Sequence, residues 1–416
     1  HARDPRRDVA IGGGSPVCGA GYGAPAVVAP DGRRRPARLE DYLTFLQLIH
    51  AAEGLQLNGG VPVQPADLPA ESAGAVMLFA ALLATDKPLL GLPGRAPQVQ
   101  RQMELAALAF GGAQALRSTP RVLTLVNTLS PLQLDALALE TMEVCAAWGQ
   151  PLILSPGPMA GATGPVTLAG NLALAHAEAL AAVAVCQALR PGLPVVYGLQ
   201  PTTADMRTGA VCIGSPGFAL QSLYGARLAR RQGLPCRGGG AGTDATQATA
   251  QSGWESMLAL TVSRQAGLDV ILHAAGILAG YGAMSYEKFV FDLEMLGMLA
   301  YFEDDLPVDA ESLALETIAA VGPGGQYLTR PHTLAHCRKA PWRPTLAPAG
   351  AGDGQDAQRL LLEAAGRRRA ALQTGYVRPP MDPALEAGLE DYLRAQGCPP
   401  ELLARAALRG TPPHAA

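Results

Sequence analysis

The feature that most constrains this chain is a repeated alternation of short, uninterrupted apolar runs with long alanine- and leucine-rich stretches, starting near Lys87. The runs are KPLLGL, RVLTLVN (Arg121–Asn127), PLILSP (Pro151–Pro156), LPVVYGLQ (Leu193–Gln200) and LDVILHAAG (Leu268–Gly276). Between them lie LDALALETMEVCAAWG, LAGNLALAHAEALAAVAVCQAL, PGFALQSLYGARLARRQG and WESMLALTVSRQAG, each ending at Gly or Pro before the next run. A strand that is apolar at every position has both faces buried, as in parallel sheets covered by helices. The repeat predicts an α/β fold, a TIM (β/α)8 barrel with N-terminal and C-terminal helical additions. A doubly wound open sheet is the alternative. Residues 1–60 read as an N-terminal extension, residues 61–345 as the catalytic barrel and residues 346–416 as a C-terminal helical segment. The loop PWRPTLAPAGAGDGQDAQ leads into two amphipathic helices, RLLLEAAGRRRAALQTG and ALEAGLEDYLRAQG, suited to a subdomain or dimer arm.

Composition excludes several classes. With 32 Lys plus Arg against 35 Asp plus Glu, the net charge of −3 makes no case for nucleic acid. An apolar share of 49% with only 16% charged residues suits a compact, heavily buried enzyme. The seven cysteines are odd in number and form no CxxC pair, which suits reduced thiols. The longest apolar stretch is interrupted by His176, Glu178 and Gln187, so no membrane span is expected. The opening HARDPRRD is hydrophilic and lacks Met, unlike a signal peptide; a trimmed N-terminus and a cytoplasmic location are the expectation.

Barrel chemistry gathers where strands end. Those ends read Asn127-Thr128, Ser155-Pro156 with GPMAGATGP, Tyr197–Gln200 with PTTADMRTG, Arg237 with GGGAGTD, and His273 with AAGILAGYG. Asn, Gln, Asp and His would then ring a glycine-lined mouth, although Asn127, Thr163 and Asp205 read equally well as helix caps. Glu178 sits inside an apolar helix, where a carboxylate is costly without a partner; the alternative is a solvent-facing side chain. Glu255 reads either as a site carboxylate or as an ordinary first-turn acid. His332 and His336 stand four apart without a carboxylate to complete a metal set, so no metal is expected. RGGGAGTD lacks the Lys and spacing of a P-loop. Neither Lys87 nor Lys288 sits at a strand end, which argues against a Schiff-base lyase.

Several of these blocks together, VNTLSPLQLD, PMAGATGPVTLAGNLALAHAEAL, PGLPVVYG, TTADMRTGA, HAAGILAGYGAMSYEKFVFDLEMLG and HTLAHCR, resemble the trimethylamine methyltransferase family over about residues 1 to 345. That family includes pyrrolysine-containing enzymes and pyrrolysine-free glycine betaine methyltransferases. The resemblance implies a TIM barrel that moves a methyl group from a methylated amine to the cobalt of a corrinoid (cobalamin) on a separate protein, in methanogenesis-related one-carbon metabolism. The family's pyrrolysine aligns at or next to Ile277, which forms no covalent adduct with an amine, so the implied member is pyrrolysine-free and glycine betaine-like.

On this reading Glu178, Ile277 and His273 are the catalytic positions. Tyr22, Tyr197, Trp254, Tyr281 and Glu255, with Tyr286 nearby, would hold the cation, because a quaternary ammonium offers only its charge to aromatic faces and carboxylates. A substrate carboxylate would need Arg207, Arg237 or backbone N–H groups. Asn127, Gln200, Asp205, Gly239 and Gly276 would meet the corrinoid. The partners implied are a methylated amine, the cognate corrinoid protein and further copies of the chain in a homo-oligomer. The alternative is a catalytically silent barrel that binds betaine or corrinoid.

Overall fold

The computed structural model describes residues 1–346 and 356–407, so the centre of the predicted linker and residues 408–416 lie outside the described residues. Eight short strands make the barrel: β1 (Val17–Cys18), β2 (Asn58–Gly59), β3 (Leu89–Gly91), β4 (Val122–Val126), β5 (Leu152–Leu154), β6 (Val195–Tyr197), β7 (Arg237–Gly238) and β8 (Val270–Ile271). One parallel ladder runs β2–β3–β4–β5–β6 and another β7–β8–β1. Two parallel bridges, Gly19 to Leu57 and Tyr197 to Cys236, join the ladders into a closed ring. A helix follows every strand: Leu39–Ala51, Ala70–Ala84, Ala96–Ala109, Ala136–Ala147, Leu168–Leu189, Pro216–Arg231, Ala250–Gln265 and Tyr286–Glu303. This is the (β/α)8 barrel expected from the apolar runs. Its first two strands lie within residues 1–60, the stretch read from sequence as an extension.

Val17, Leu57, Leu123, Ile153, Val196 and Val270 point into the ring and form one buried cluster. Each is worth roughly 1.5–3 kcal/mol of transfer free energy. Pro88, Pro120, Pro151, Pro194 and Pro235 stand just before strands, where a missing N–H costs no ladder bond. With Val9 and Ile11 from the N-terminal segment they line an apolar cavity of about 240 Å³ at the strands' amino ends. Lys87 precedes β3 at this same end. Its Nζ donates to the carbonyls of Ile49 (2.7 Å), Ala52 (2.7 Å) and Leu55 (2.6 Å), at and just beyond the end of helix Leu39–Ala51, where a cation suits the carbonyl-rich terminus.

Helix Leu168–Leu189 is long and apolar enough for a bilayer by length and composition, yet it is the barrel-wall helix between β5 and β6. The C-terminal helices lie on the barrel's own helices. Ala357–Thr374 packs on Tyr286–Glu303 and Leu39–Ala51, and Pro383–Ala395 packs on Ala96–Ala109. Arg405 pairs with Asp67 at 2.6 Å and Glu40 at 2.8 Å.

Candidate active site at the barrel mouth

A cavity of about 670 Å³ opens at the carboxyl ends of the strands, and all eight βα units contribute to its wall. Tyr22 follows β1, Gln64 follows β2, Pro93 follows β3 and Asn127 to Ser130 follow β4. Ser155 to Met159 follow β5, Gln200 follows β6, Arg237 lies in β7, and His273 and Tyr281 follow β8.

Arg237 sets the electrostatics. It is 3% exposed, and its Nη1 donates to Ser155 Oγ at 2.9 Å, but its Nε has no partner and no acid pairs with it among the described residues. Burial lowers its pKa to about 10. A buried guanidinium with free donors is expensive, and an incoming anion would relieve that cost.

Three rings stand around it. Tyr22 N donates to His273 Nδ1 at 3.2 Å, and Tyr22 Oη donates to the Gly91 carbonyl at 3.1 Å. His273 and Tyr281 lie with ring centroids 4.7 Å apart. Both occupy the left-handed backbone region, at φ +58° and +71°, which costs a non-glycine residue about 1–2 kcal/mol. Gln200 Nε2 donates to Tyr281 Oη at 2.7 Å and to the Gly239 carbonyl at 3.3 Å, while Gln200 Oε1 is buried without a partner.

Burial, and next the charge of Arg237, push His273 well below the usual histidine range. Its ring is therefore neutral, and accepting at Nδ1 it carries its proton on Nε2, available to a ligand. His50, half-buried against Thr85 and Tyr376, is pushed down by burial to about 4. For both residues the unfolded chain takes up a proton that the folded chain refuses. Stability is therefore fully present above about 6.5 and declines as pH falls toward 4. Melting curves across that window should show the loss, and His50→Gln should flatten part of it.

The remaining predicted residues fall outside the cavity wall. Glu178 is buried, but its carboxylate accepts from Thr128 Oγ1 (2.5 Å), Ser130 Oγ (2.8 Å) and Leu132 N (2.8 Å). It thus ties down the loop after β4 that lines the mouth. Glu178→Gln removes an acceptor from that set and is expected to speed amide exchange at Leu132. Unchanged exchange there would remove Glu178 from the loop's support. Glu255 likewise holds the loop after β7, accepting from Thr243 Oγ1 at 2.5 Å and Asp244 N at 2.9 Å. Tyr197 points outward, its Oη 2.5 Å from His176 Nδ1. Tyr286 stacks on Phe45 and donates to Asp41.

Ile277 is fully buried, paired with Met284 in a small antiparallel strand pair, Ile277–Leu278 with Ala283–Ser285. Gly276 (φ +93°) donates its N–H to Asp292, and Gly239 supplies the carbonyl that Gln200 meets. Asp205 and Arg207 share an exposed turn, and Trp254 is 64% exposed on its helix. The mouth thus gathers Tyr22, Asn127, Thr163, Gln200, Arg237, His273 and Tyr281. It also gathers Gln64, Met159 and Val211, which sequence reasoning did not single out, and Ser155, which was read only as a strand end. Among the described residues no group of three or more His, Cys, Asp or Glu side chains could hold a metal ion.

The fold and the cavity define a (β/α)8 barrel enzyme with its site at the strands' carboxyl ends. The family model described as trimethylamine methyltransferase matches residues 1–397, and the chain belongs to that family. A glycine betaine methyltransferase of Desulfitobacterium hafniense (strain Y51) is 37% identical over 95% of this chain and 83% of its own length. A proline betaine:corrinoid methyltransferase of Eubacterium limosum is 29% identical over 89% of this chain and 79% of its own. The solved monomethylamine methyltransferase of Methanosarcina barkeri superposes with a TM-score of 0.47 at 12% identity, covering 88% of this chain and 75% of that one. At that level the strand register, not the superposition, establishes the barrel.

Proposed function

We propose that this barrel moves a methyl group from a betaine, a quaternary ammonium carrying its own carboxylate, to the cobalt of a corrinoid held by a separate protein. The observation that carries this reading is the buried, acid-free Arg237 beside two tyrosines and a neutral histidine. A zwitterion satisfies both halves of such a site. Its carboxylate meets the free donors of Arg237 and the Nε2–H of His273, and its ammonium faces Tyr22 and Tyr281. A protonated histidine would repel the cation, so the neutral state of His273 matters. The named relatives, two of them betaine methyltransferases, support the same substrate class.

Anchoring the carboxylate at the cavity floor leaves an N–CH₃ bond directed outward through the open mouth, an orientation effect. The partner's reduced corrinoid supplies the nucleophile; the C–N bonding pair stays with nitrogen, so the amine leaves neutral and no general acid is required. Asn127 and the Thr128–Ser130 loop stand at the rim that the partner's group would approach. The reading also takes the reaction to be pyrrolysine-free, since the position matched to the family's pyrrolysine is Ile277, an apolar side chain buried behind the cavity and packed against Gly21, and it takes the chain to act in the cytoplasm as a homo-oligomer.

The test is to incubate the full chain with cob(I)alamin and a panel of glycine betaine, proline betaine, choline and tetramethylammonium, following the cobalt by absorbance. Transfer from the betaines but not from the carboxylate-free amines is expected. Tight betaine binding without any transfer would favour the silent binder instead.

A further inference from the structure

From Ala300 to Thr345 no residue is buried. This stretch leaves the end of helix Tyr286–Glu303, runs through the short helices Ala310–Leu313, Leu315–Val321 and Pro331–His336, and returns along the same helix, where Tyr301 Oη donates to the Ala340 carbonyl at 2.7 Å. Its internal contacts are all exposed and polar or ring-to-ring: the Glu311 carboxylate lies 3.1 Å from His336 Nε2 and its carbonyl meets His332, Thr333 Oγ1 donates to the Tyr327 carbonyl at 2.8 Å, and Arg343 Nη2 donates to the Cys337 carbonyl at 2.9 Å. Helices this short are not stable without packing. The arm nevertheless displays Phe302 (71% exposed), Leu306 (84%), Val308 (72%), Leu315 (65%), Leu328 (81%) and Leu334 (79%). Together they expose on the order of 800 Å² of apolar surface. Summed over the arm, that is on the scale of the roughly 800 Å² that one partner of a standard interface buries.

Charge on the arm is sorted along its length. Glu303, Asp304, Asp305, Asp309, Glu311 and Glu316 lie in the first half without one Lys or Arg among them. Arg330, Arg338, Lys339 and Arg343 lie in the second half without a carboxylate. Exposed apolar side chains are interleaved with both sets of charges, and a surface whose two halves carry opposite charge is complementary to itself turned through 180°.

Position separates this surface from the mouth. Glu303, where the arm begins, pairs with Arg264 near the end of helix Ala250–Gln265, which leads into the start of β8. The arm therefore departs at the strands' amino ends, opposite the cavity, and a partner approaching the mouth would not cover it.

We infer that residues 300–345 form a self-association arm, which packs against the same arm of a second copy across a twofold axis, the acidic half of each on the basic half of the other. This assigns a surface to the homo-oligomer named above and does not depend on the methyl-transfer chemistry. The experiment is sedimentation of the purified full chain across the micromolar range, beside three variants. These are Leu306→Asp/Leu328→Asp, Asp304→Lys/Asp305→Lys and Arg338→Glu/Lys339→Glu.

The wild type should sediment as an assembly of an even number of chains. The leucine variant should weaken association by roughly 100-fold or more, the scale of losing residues from an interface centre. Each charge-reversed chain alone should also weaken, and mixing the two should restore a hetero-assembly. Betaine affinity should be unchanged throughout, so loss of the assembly and failure of the functional reading remain distinguishable. A monomeric wild type, or an assembly indifferent to all three variants, overturns the inference. Should circular dichroism show the leucine variant misfolded, the charge-reversed pair decides alone.

Discussion

Arg237→Ala is expected to lower betaine affinity by roughly 100- to 1,000-fold while leaving the barrel as stable as the wild type or more so. The first half follows from truncating one partner of a desolvated charge pair, which typically costs a few kcal/mol of binding. The second half follows from the unliganded site. Burial brings the guanidinium from its ordinary value down to about 10, which marks a folding cost on the order of 3 kcal/mol for carrying that charge unpaired. Arg237→Met, apolar and of similar reach, should raise the melting temperature while abolishing betaine binding. That is the trade expected of a residue kept for its ligand rather than for the fold. Tetramethylammonium, which offers no carboxylate, should bind the Arg237→Ala chain at least as well as the wild type, because a buried like charge is gone. Calorimetric titration checks the affinities; an Arg237→Ala chain that binds glycine betaine as the wild type does would end the assignment.

The strands legible in the sequence were those long enough to show a pattern. β4, with five buried residues in succession, and the runs around β3, β5, β6 and β8 were all readable. β1, β2 and β7 are two residues each, Val-Cys, Asn-Gly and Arg-Gly, and nothing in such pairs has a period. They are strands only because their neighbours in the closed ring hold them, which is why residues 1–60 looked like an extension and why Gln64, following β2, went unnoticed. The site divides in the same way. Strand-end position was enough for Asn127, Gln200 and His273, but not for the phase of β6, where Val196 points in and Tyr197 points out, since a one-residue shift exchanges the faces. The premise about Glu178 was physical, that a carboxylate in an apolar helix needs partners. The sequence could not say that these are the Thr128–Leu132 loop. Scarcity of aromatics drew weight to Trp254, whose ring faces solvent.

Asp292→Ala should destabilise the barrel by about 3–5 kcal/mol, because it strands a buried ammonium. Lys288 and Asp292 are both wholly buried and form an ion pair one helical turn apart. Burial raises Asp292 to about 6 and lowers Lys288, so each charge is disfavoured and persists only through the other. The pair also joins two mouth loops. Asp292 Oδ2 accepts from Gly276 N at 2.7 Å, in the segment between His273 and Tyr281, while Lys288 Nζ reaches the Ala241 carbonyl at 3.4 Å in the loop after β7. Removing Asp292 therefore leaves Gly276 N without its acceptor and the buried Lys288 ammonium without a counter-charge, held only by the Ala241 carbonyl, and a fall in melting temperature of roughly 5–10 °C is expected. The double variant Lys288→Met/Asp292→Leu removes both charges and should regain most of that loss, as replacing a whole buried pair usually does. It still leaves Gly276 N unpaired, so the loop carrying Tyr281 should stay loose and betaine affinity should remain reduced after stability returns. That separation assigns the pair to site geometry rather than to fold strength. An Asp292→Ala chain melting with the wild type, or a double variant that recovers affinity along with stability, would contradict it.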